Sequence, residues 1–274
     1  MVNPEINLST ATRTNLLSLT RTTDLIARTQ ERLSTGLKVN SAIDDAIAFF
    51  QARSLSDRAS DLTLLKSAID LSINTVEVAA IGIESITGVI EQMKGLALAA
   101  KSDSSVLNRS RAAVQFNDLR TQIDNLSNDA SFKGSNLIKG DVPNNLKVTF
   151  SEDGSSSLTV SGISSDASGL SVIAAAGAWS TDVNIDLAIN DLDSALSTLR
   201  STASNLGSNA AVLSLRLDFT KNLINSLSEG SSKLVNADLN EESANLLTLQ
   251  TRQQLGTIGL SIAQQSEQSI LRLF

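Results

Sequence analysis

The feature that most constrains this chain is an unbroken apolar repeat over residues 185–227. Apolar side chains recur there in alternating steps of four and three, and one threonine is the only polar member. The positions are Ile185, Ile189, Leu192, Leu196, Leu199, Ala203, Leu206, Ala210, Leu213, Leu217, Thr220, Ile224 and Leu227. Such a sustained heptad is typical of a coiled-coil helix. At a rise of about 1.5 Å per residue it would be roughly 65 Å long, so the sequence predicts a rod rather than a compact globule.

Two shorter helical patterns precede this repeat. The first has a seam through Ile69, Ile73, Val76, Ala80, Ile83, Thr87, Ile90, Lys94 and Ala97. Glycine weakens a helix, so we interpret Gly82, Gly88 and Gly95 as places where a neighbouring helix comes close. The second runs from Arg109 to Leu126, with one face formed by Val114, Leu119, Ile123 and Leu126. We expect it to stop around residues 131–134, where Gly134 can act as a C-cap.

The pattern changes between residues 140 and 180. Residues 146–150 and 158–160 alternate in polarity, and Glu152-Asp153-Gly154 lies between them. Alternation around an Asp-Gly turn predicts a β-hairpin. The Ser/Ala/Gly-rich stretch that follows, up to Trp179, is predicted to be an exposed loop.

Both ends of the chain carry weaker heptads that polar residues interrupt. The N-terminal positions are Leu16, Leu19, Thr23, Ile26, Gln30, Leu33 and Leu37, and the C-terminal ones are Leu255, Ile258, Ile262, Gln265 and Ser269. A two-helix pair with such seams is weak. We therefore expect the ends to need partners, both from the same chain and from neighbouring copies.

Composition excludes several kinds of function. The chain has no Cys and no His, which removes the usual ligands of zinc, haem and iron–sulfur sites and the residues of cysteine and serine–histidine catalysis. A net charge of -7 without a basic block disfavours nucleic-acid binding. The longest clean apolar runs, such as residues 46–50, are too short to span a bilayer. No signal peptide is visible at the N-terminus, so these features alone predict a cytoplasmic protein.

The segment 33–46, Leu-Ser-Thr-Gly-Leu-Lys-Val-Asn-Ser-Ala-Ile-Asp-Asp-Ala, joins the first two predicted helices. Gly36 can end a helix, and Ser41 with Asp44 three residues later resembles a capping box. The alternative is that Asp44 and Asp45 are metal ligands or an acid/base pair. Adjacent side chains point in different directions, and no other acidic cluster joins them, so the cap-and-loop interpretation is favoured.

The same segment resembles the N-terminal signature of bacterial flagellins. The resemblance continues in residues 92–97 (Gln-Met-Lys-Gly-Leu-Ala) and 132–138 (Phe-Lys-Gly-Ser-Asn-Leu-Ile). At the C-terminus it includes 237–244 (Ala-Asp-Leu-Asn-Glu-Glu-Ser-Ala), 250–255 (Gln-Thr-Arg-Gln-Gln-Leu) and 269–274 (Ser-Ile-Leu-Arg-Leu-Phe). It covers about residues 1–140 and 180–274, in order at both ends, and leaves only about 40 residues for the outer domains that many flagellins carry.

The resemblance implies a mostly α protein, a coiled-coil helical rod folded back on itself with a small β-hairpin in the middle. Residues 1–40 and 235–274 would pair as an inner core lining a narrow channel. Residues 41–234 would form a helical outer core domain with the hairpin and loop as an insert at 141–180. The self-assembly and coiled-coil core is then assigned to Leu16, Leu19, Ile26, Leu33, Leu206, Leu213, Leu217, Leu255, Ile258, Ile262, Ile270 and Leu271, and the loop motif to Gly36, Asn40, Ser41, Asp44 and Asp45.

Flagellins leave the cell unfolded through the flagellum's own channel, which replaces the cytoplasmic interpretation with the extracellular filament. The implied partners are further copies in a helical filament, the flagellar cap and hook-associated proteins, and the export chaperone and export apparatus. Nucleic acid, membrane insertion, cofactors and catalysis are not expected.

Two alternatives remain open. A hook–filament junction protein shares the end helices, but such relatives usually have a proline in the loop before the paired aspartates, and residues 40–43 (Asn-Ser-Ala-Ile) have none. A cytoplasmic coiled-coil scaffold is the other alternative, and the presence of the protein in sheared filaments would distinguish the two locations. An enzyme is a distant third, because no catalytic constellation is visible.

Overall fold

The computed structural model describes residues 10–140 and 143–271. Its helices are α1 (Thr10–Thr35), α2 (Ala46–Ser102), α3 (Val106–Asp129), α4 (Asp182–Val235) and α5 (Leu239–Leu271). Two strands, β1 (Leu146–Thr149) and β2 (Ser157–Val160), and a short 3-10 helix (Ala176–Trp179) lie between α3 and α4. The predicted fold class, mostly helical with long helices and one small hairpin, is confirmed.

The chain divides into two compact units. One comprises Met1–Asp57 and Leu227–Phe274, and the other Arg58–Ser226, so that α2 and α4 each contribute residues to both. The predicted division at residues 40/41 and 234/235 concerns the inner and outer cores of an assembled filament, and it stays a prediction.

In the unit Arg58–Ser226, α2 and α4 pack as antiparallel helices around an aliphatic core. Lys101 Nζ lies 2.5 Å from Asp186 Oδ1, and Lys94 pairs with Asp193 one heptad away, which fixes the direction. The buried positions of α4 follow the predicted seam: Ile185, Leu192, Leu196, Leu199, Leu206 and Leu213. Ala203 is exposed, and the adjacent Thr202 is buried in its place.

On α2, every second predicted seam position is confirmed, and the positions between them differ from the prediction. The positions Ile69, Val76, Ile83, Ile90 and Ala97 are buried as expected, but the residues between them that are fully buried are Ala79, Ile86 and Met93. The predicted Thr87 and Lys94 are only half-buried. The intermediate step is therefore i+3 rather than i+4, and it turns Lys94 outward to meet its partner on α4.

One of the three glycines on α2 marks a close approach. A Cβ on Gly82 would lie 2.6 Å from Ile138 Cδ1 and 2.8 Å from Ala130 Cβ, both in the segment that follows α3. Gly88 and Gly95 have no such neighbour within 4 Å. The interpretation of these two as sites of helix contact was wrong.

The predicted face of α3 is confirmed except at Val114, since Ile123 is buried and Leu119 and Leu126 pack against the core. Val114 is 59% exposed, whereas Ala113, Phe116 and Ile123 are buried. Gly134 does adopt a positive φ, +82°, but in a turn four residues beyond the helical C-cap at Ala130.

The linker after β2 packs on this core, so its prediction as an exposed loop was wrong. Ala167, Leu170, Val172 and Trp179 are all at least 96% buried. The Trp179 ring meets Phe116 edge to face, with 5.0 Å between the centroids. Residues of α3 hold the linker by its backbone: Arg120 donates to Val172 O at 2.9 Å.

The predicted β-hairpin is confirmed. Leu146 pairs with Val160 and Thr149 with Ser157, antiparallel. Gly154 turns the chain at a φ of +74°, and Phe150 N donates to Ser156 O at 2.8 Å across the turn.

By length and composition alone, α2 could cross a membrane, since an 18-residue window reaches a mean hydropathy of 1.4. The sequence predicts no membrane-spanning segment, because the uninterrupted apolar runs are short. The high average hydropathy of α2 is spread over a window that also contains polar residues. Because α2 supplies much of the buried core beside α4, we attribute its apolar character to packing.

Candidate self-assembly surface

The connectors that follow α1 and α4 are joined by backbone hydrogen bonds. Lys38 N donates to Val235 O at 2.8 Å, and Ala237 N donates to Gly36 O at 2.9 Å. Gly36 has a φ of +72°, in the left-handed region that glycine adopts without strain. The end of α1 and the approach to α5 are thereby held side by side by main-chain atoms.

Asp44 closes the loop after Gly36. Its Oδ2 accepts hydrogen bonds from Ser41 N (2.9 Å), Ser41 Oγ (3.1 Å) and Asn40 N (3.1 Å). The bonds from Ser41 lower the pKa of the Asp44 carboxyl below its usual value. Ionised Asp44 therefore stabilises the conformation of the loop.

Asp45 caps α2, which begins at Ala46. Its Oδ1 accepts a hydrogen bond from Ala48 N at 3.0 Å, the geometry of an N-cap. The predicted capping box at Ser41 and Asp44 thus lies in the loop, and the helix starts later than it indicated. No group of three or more potential metal ligands occurs within residues 10–140 and 143–271.

A surface cavity of about 440 Å³ lies where the two connectors meet. It is lined by Arg32, Lys38, Val39, Asp44, Asp45, Ala48, Leu234, Ala237, Asp238, Glu241 and Glu242. Glu242 is buried and pairs with Arg32, with Nη1 and Oε1 2.8 Å apart. Asp238 Oδ1 accepts from Asn240 N at 2.9 Å and caps α5, just as Asp45 caps α2.

Helices α1 and α5 pack against each other along a thin and partly polar seam. Leu19 lies close to Gly256, where a Cβ would come within 3.2 Å of Leu19 Cδ1. On α1, Ile26 and Thr29 are buried, and Leu33 is half-buried. Of the predicted seam residues, Gln30 is exposed, and Thr23, also exposed, accepts a hydrogen bond at its Oγ1 from Gln253 Nε2 of α5 at 3.4 Å.

The predicted self-assembly residues differ in how deeply the structure buries them. Ile26, Leu206 and Leu213 are buried within the chain, and Leu19, Leu33 and Leu217 are half-buried. Four others are exposed: Leu16 by 45%, Leu255 by 64%, Ile258 by 56% and Ile262 by 62%. The side chains of Ile270 and Leu271 lie outside the described residues.

Sequence reasoning missed further exposed apolar side chains on this pair of helices. Leu17, Leu25 and Leu247 are between 45% and 66% exposed. In the sequence, these residues could have been recognised as apolar positions next to the predicted seam on helices that are otherwise polar. Together with Leu16, Leu255, Ile258 and Ile262, they form what we call the outer apolar faces of α1 and α5.

Comparison with known proteins identifies the family. The bacterial flagellin N-terminal helical region matches residues 6–142, and the bacterial flagellin C-terminal helical region matches residues 189–274. Flagellin FljM and flagellin FljK of Caulobacter vibrioides are each 34% identical to the chain, over 98% of both sequences. The chain belongs to the bacterial flagellins. A flagellin of Brucella melitensis is 30% identical over 95% of both chains.

A solved structure supports the fold. The crystal structure of Bacillus cereus flagellin superposes with a TM-score of 0.50 at 15% identity, covering 56% of this chain and 88% of that one. The family match and the relatives confirm the sequence-based assignment: this flagellin is a structural subunit that self-assembles into the bacterial flagellar filament.

Proposed function

We propose that this flagellin is exported from the cell and polymerises through the outer apolar faces of α1 and α5. One observation carries the proposal: Leu255, Ile258 and Ile262 are each more than half exposed on one helix of a filament subunit. Exposed apolar patches on soluble chains mark interaction sites, and a subunit of a homopolymer meets other copies of itself.

The remaining proposed partners follow from the family. They are the flagellar cap and hook-associated proteins at the ends of the filament, and the export chaperone and export apparatus during secretion. We propose no catalytic, nucleic-acid-binding or membrane-inserted role. Flagellins are a structural protein family.

A first experiment tests export and filament formation. The gene is expressed in a bacterium that lacks its own flagellins, and sheared extracellular filaments are analysed by mass spectrometry together with swimming in soft agar. We expect the chain in the filaments and restored swimming. Accumulation in the cytoplasm, without extracellular filaments, would argue for the scaffold alternative.

A second experiment tests the surface. Ile258→Ser and Ile262→Ser remove exposed apolar side chains, so the monomer should keep its circular dichroism spectrum while polymerisation onto filament seeds is lost. Leu64→Ser provides the control, because Leu64 is 71% exposed on α2 within the other unit. Normal polymerisation of both α5 variants would refute this surface.

A further inference from the structure

The α1/α5 pair carries its charge unevenly along its length. Residues 10–23 contain Arg13 and Arg21 and no acidic residue, and residues 253–266 of α5 contain no charged residue. Both arginines are exposed, and neither forms an ion pair within the part of the chain that the structure describes. Leu16 and Leu17 lie between them and line two shallow cavities together with the arginines. We call these four residues the distal face of α1.

The opposite end of the same pair is acidic. Five carboxylates and two cations line the cavity between the connectors. Arg32 is already paired with Glu242 at 2.8 Å, and Lys38 Nζ donates to the main-chain oxygen of Lys233 at 3.4 Å. Glu241 is exposed and has no ion pair among the described residues. An excess of negative charge therefore remains at this end.

We propose that the distal face of α1 in one copy docks onto the acid-lined cavity of the next copy. The proposal rests on self-assembly of the chain and names the two surfaces that meet. Guanidinium groups pair with carboxylates through charge-assisted hydrogen bonds, and Leu16 and Leu17 lose their exposure in the same contact. Because the two surfaces are different and lie at opposite ends of one helix pair, the contact is heterologous and leaves a free surface at each end for the next copy.

Charge reversal in trans tests the proposal. One variant carries Arg13→Glu and Arg21→Glu, and the other carries Glu241→Arg; none of these residues caps a helix or belongs to an ion pair within the described chain. The critical concentration for growth on wild-type seeds is measured by sedimentation. Each variant alone should raise it by about tenfold or more, since like charges then face each other.

An equimolar mixture of the two variants should grow at nearly the wild-type critical concentration. When the two variants alternate in the filament, the new glutamates on α1 of one variant meet the new arginine in the cavity of the other. At the next contact, the unchanged arginines on α1 meet the unchanged acid-lined cavity. Arg111→Glu is the control for net charge, because Arg111 is exposed on α3 and has no ion pair in the described residues.

Three outcomes would overturn the head-to-tail contact while leaving filament formation intact: normal growth of both variants alone, no recovery in the mixture, or an equal defect in Arg111→Glu. Circular dichroism of each monomer excludes misfolding as the cause of a defect. Failure of the wild-type chain itself to polymerise would instead refute the self-assembly on which the proposal rests.

Discussion

At the residue scale, the ion pair between Arg32 and Glu242 joins the ends of α1 and α5. Glu242 is 7% exposed, and its Oε1 lies 2.8 Å from Arg32 Nη1. A buried carboxylate that loses its cation is left with its desolvation cost uncompensated. The pair is therefore expected to matter more than the exposed ion pairs of the chain.

We predict that Arg32→Ala lowers the free energy of unfolding of the unit that contains α1 and α5 by about 2 kcal/mol. Arg53→Ala is the matched control, since Arg53 and Asp57 are both about two-thirds exposed and 3.7 Å apart. Its effect should stay below about 0.5 kcal/mol. Because the terminal helices are expected to open readily in the monomer, hydrogen exchange in the assembled filament measures both effects, and equal effects would contradict the prediction.

The carboxyl of Asp191, unlike that of Glu242, destabilises the fold when it is ionised. Burial raises the pKa of its carboxyl, and its Oδ2 has no hydrogen-bond partner among the described residues. A carboxyl whose pKa is higher in the folded state destabilises the fold when it is ionised, and this penalty shrinks as the pH falls through the folded pKa.

Asp191→Asn should therefore stabilise the monomer at pH 7, by up to about 1 kcal/mol after allowance for solvent screening. The gain should disappear below about pH 4, where aspartate is protonated in the unfolded chain as well. Thermal unfolding across pH 3.5–7.5 measures the change, with the exposed Asp118→Asn as control. A stabilisation that does not depend on pH would show that ionisation is not its cause.

At the element scale, α4 depends on its buried leucine seam. Leu213 is fully buried, and Leu215, two residues away on the same helix, is 71% exposed. Leu213→Asp places an unpaired charge in an aliphatic core and should cost about 4 kcal/mol or more, enough to prevent filament formation.

Leu206→Asp, at a site 3% exposed, should behave in the same way. Leu215→Asp should change the stability of the monomer by no more than about 0.5 kcal/mol. Circular dichroism melting of the three monomers is the measurement. A folded Leu213→Asp variant as stable as Leu215→Asp would disprove the seam.

How well each helix could be predicted depended on what occupies its seam. On α4 the aliphatic seam residues recur in one register, so hydropathy located the seam even though Thr202 and Thr220 are also buried. On α1 and α2 the buried hydroxyl residues Thr29, Ser72 and Thr75 lie outside the apolar pattern. Ser72 Oγ and Thr75 Oγ1 donate to the carbonyl oxygens of Ala68 and Leu71 at 2.7 and 2.9 Å, so their burial leaves no unpaired hydroxyl. A hydropathy pattern counts such a residue as polar, yet its burial costs little free energy because the hydroxyl stays hydrogen-bonded.

The sequence identified apolar residues of the candidate surface, but it did not show whether they pack within the chain or remain exposed. The heptads at the two ends pointed to Leu255, Ile258 and Ile262 as core positions of a helix pair. The structure leaves all three more than half exposed, whereas Gly256 lies against Leu19 and Gln253 donates to Thr23 Oγ1 between α1 and α5. Periodicity identifies an apolar face, but whether that face meets the same chain or another copy depends on tertiary packing.

At the scale of the whole molecule, the two units differ in how much apolar surface they bury. The α1/α5 pair fully buries little beyond Ile26 among its described apolar side chains, whereas the α2/α4 core is continuous from Ile69 to Ala100. The structure shows α1 and α5 as formed helices, and amide exchange reports how often they open.

We predict that residues 1–40 and 235–274 open readily in the monomer and become protected only on polymerisation; of these, residues 10–40 and 235–271 are described here. Hydrogen exchange should be at least about a hundredfold faster in these segments of the monomer than in the filament. Residues 69–100 serve as an internal reference and should be protected in both. Equally strong protection of the ends in the monomer would contradict the prediction.

The hairpin turn has a consequence for engineering. Ser151–Ser155 is bounded by the bond between Phe150 N and Ser156 O, while Arg58 on α2 holds Glu152 at 2.8 Å and Arg216 on α4 stacks over the Phe150 ring. A guest peptide or small domain whose own termini lie about 5 Å apart could replace Asp153-Gly154 without shifting the strand register. Since every subunit would carry one copy, a single gene would encode a dense periodic array of the guest along each filament.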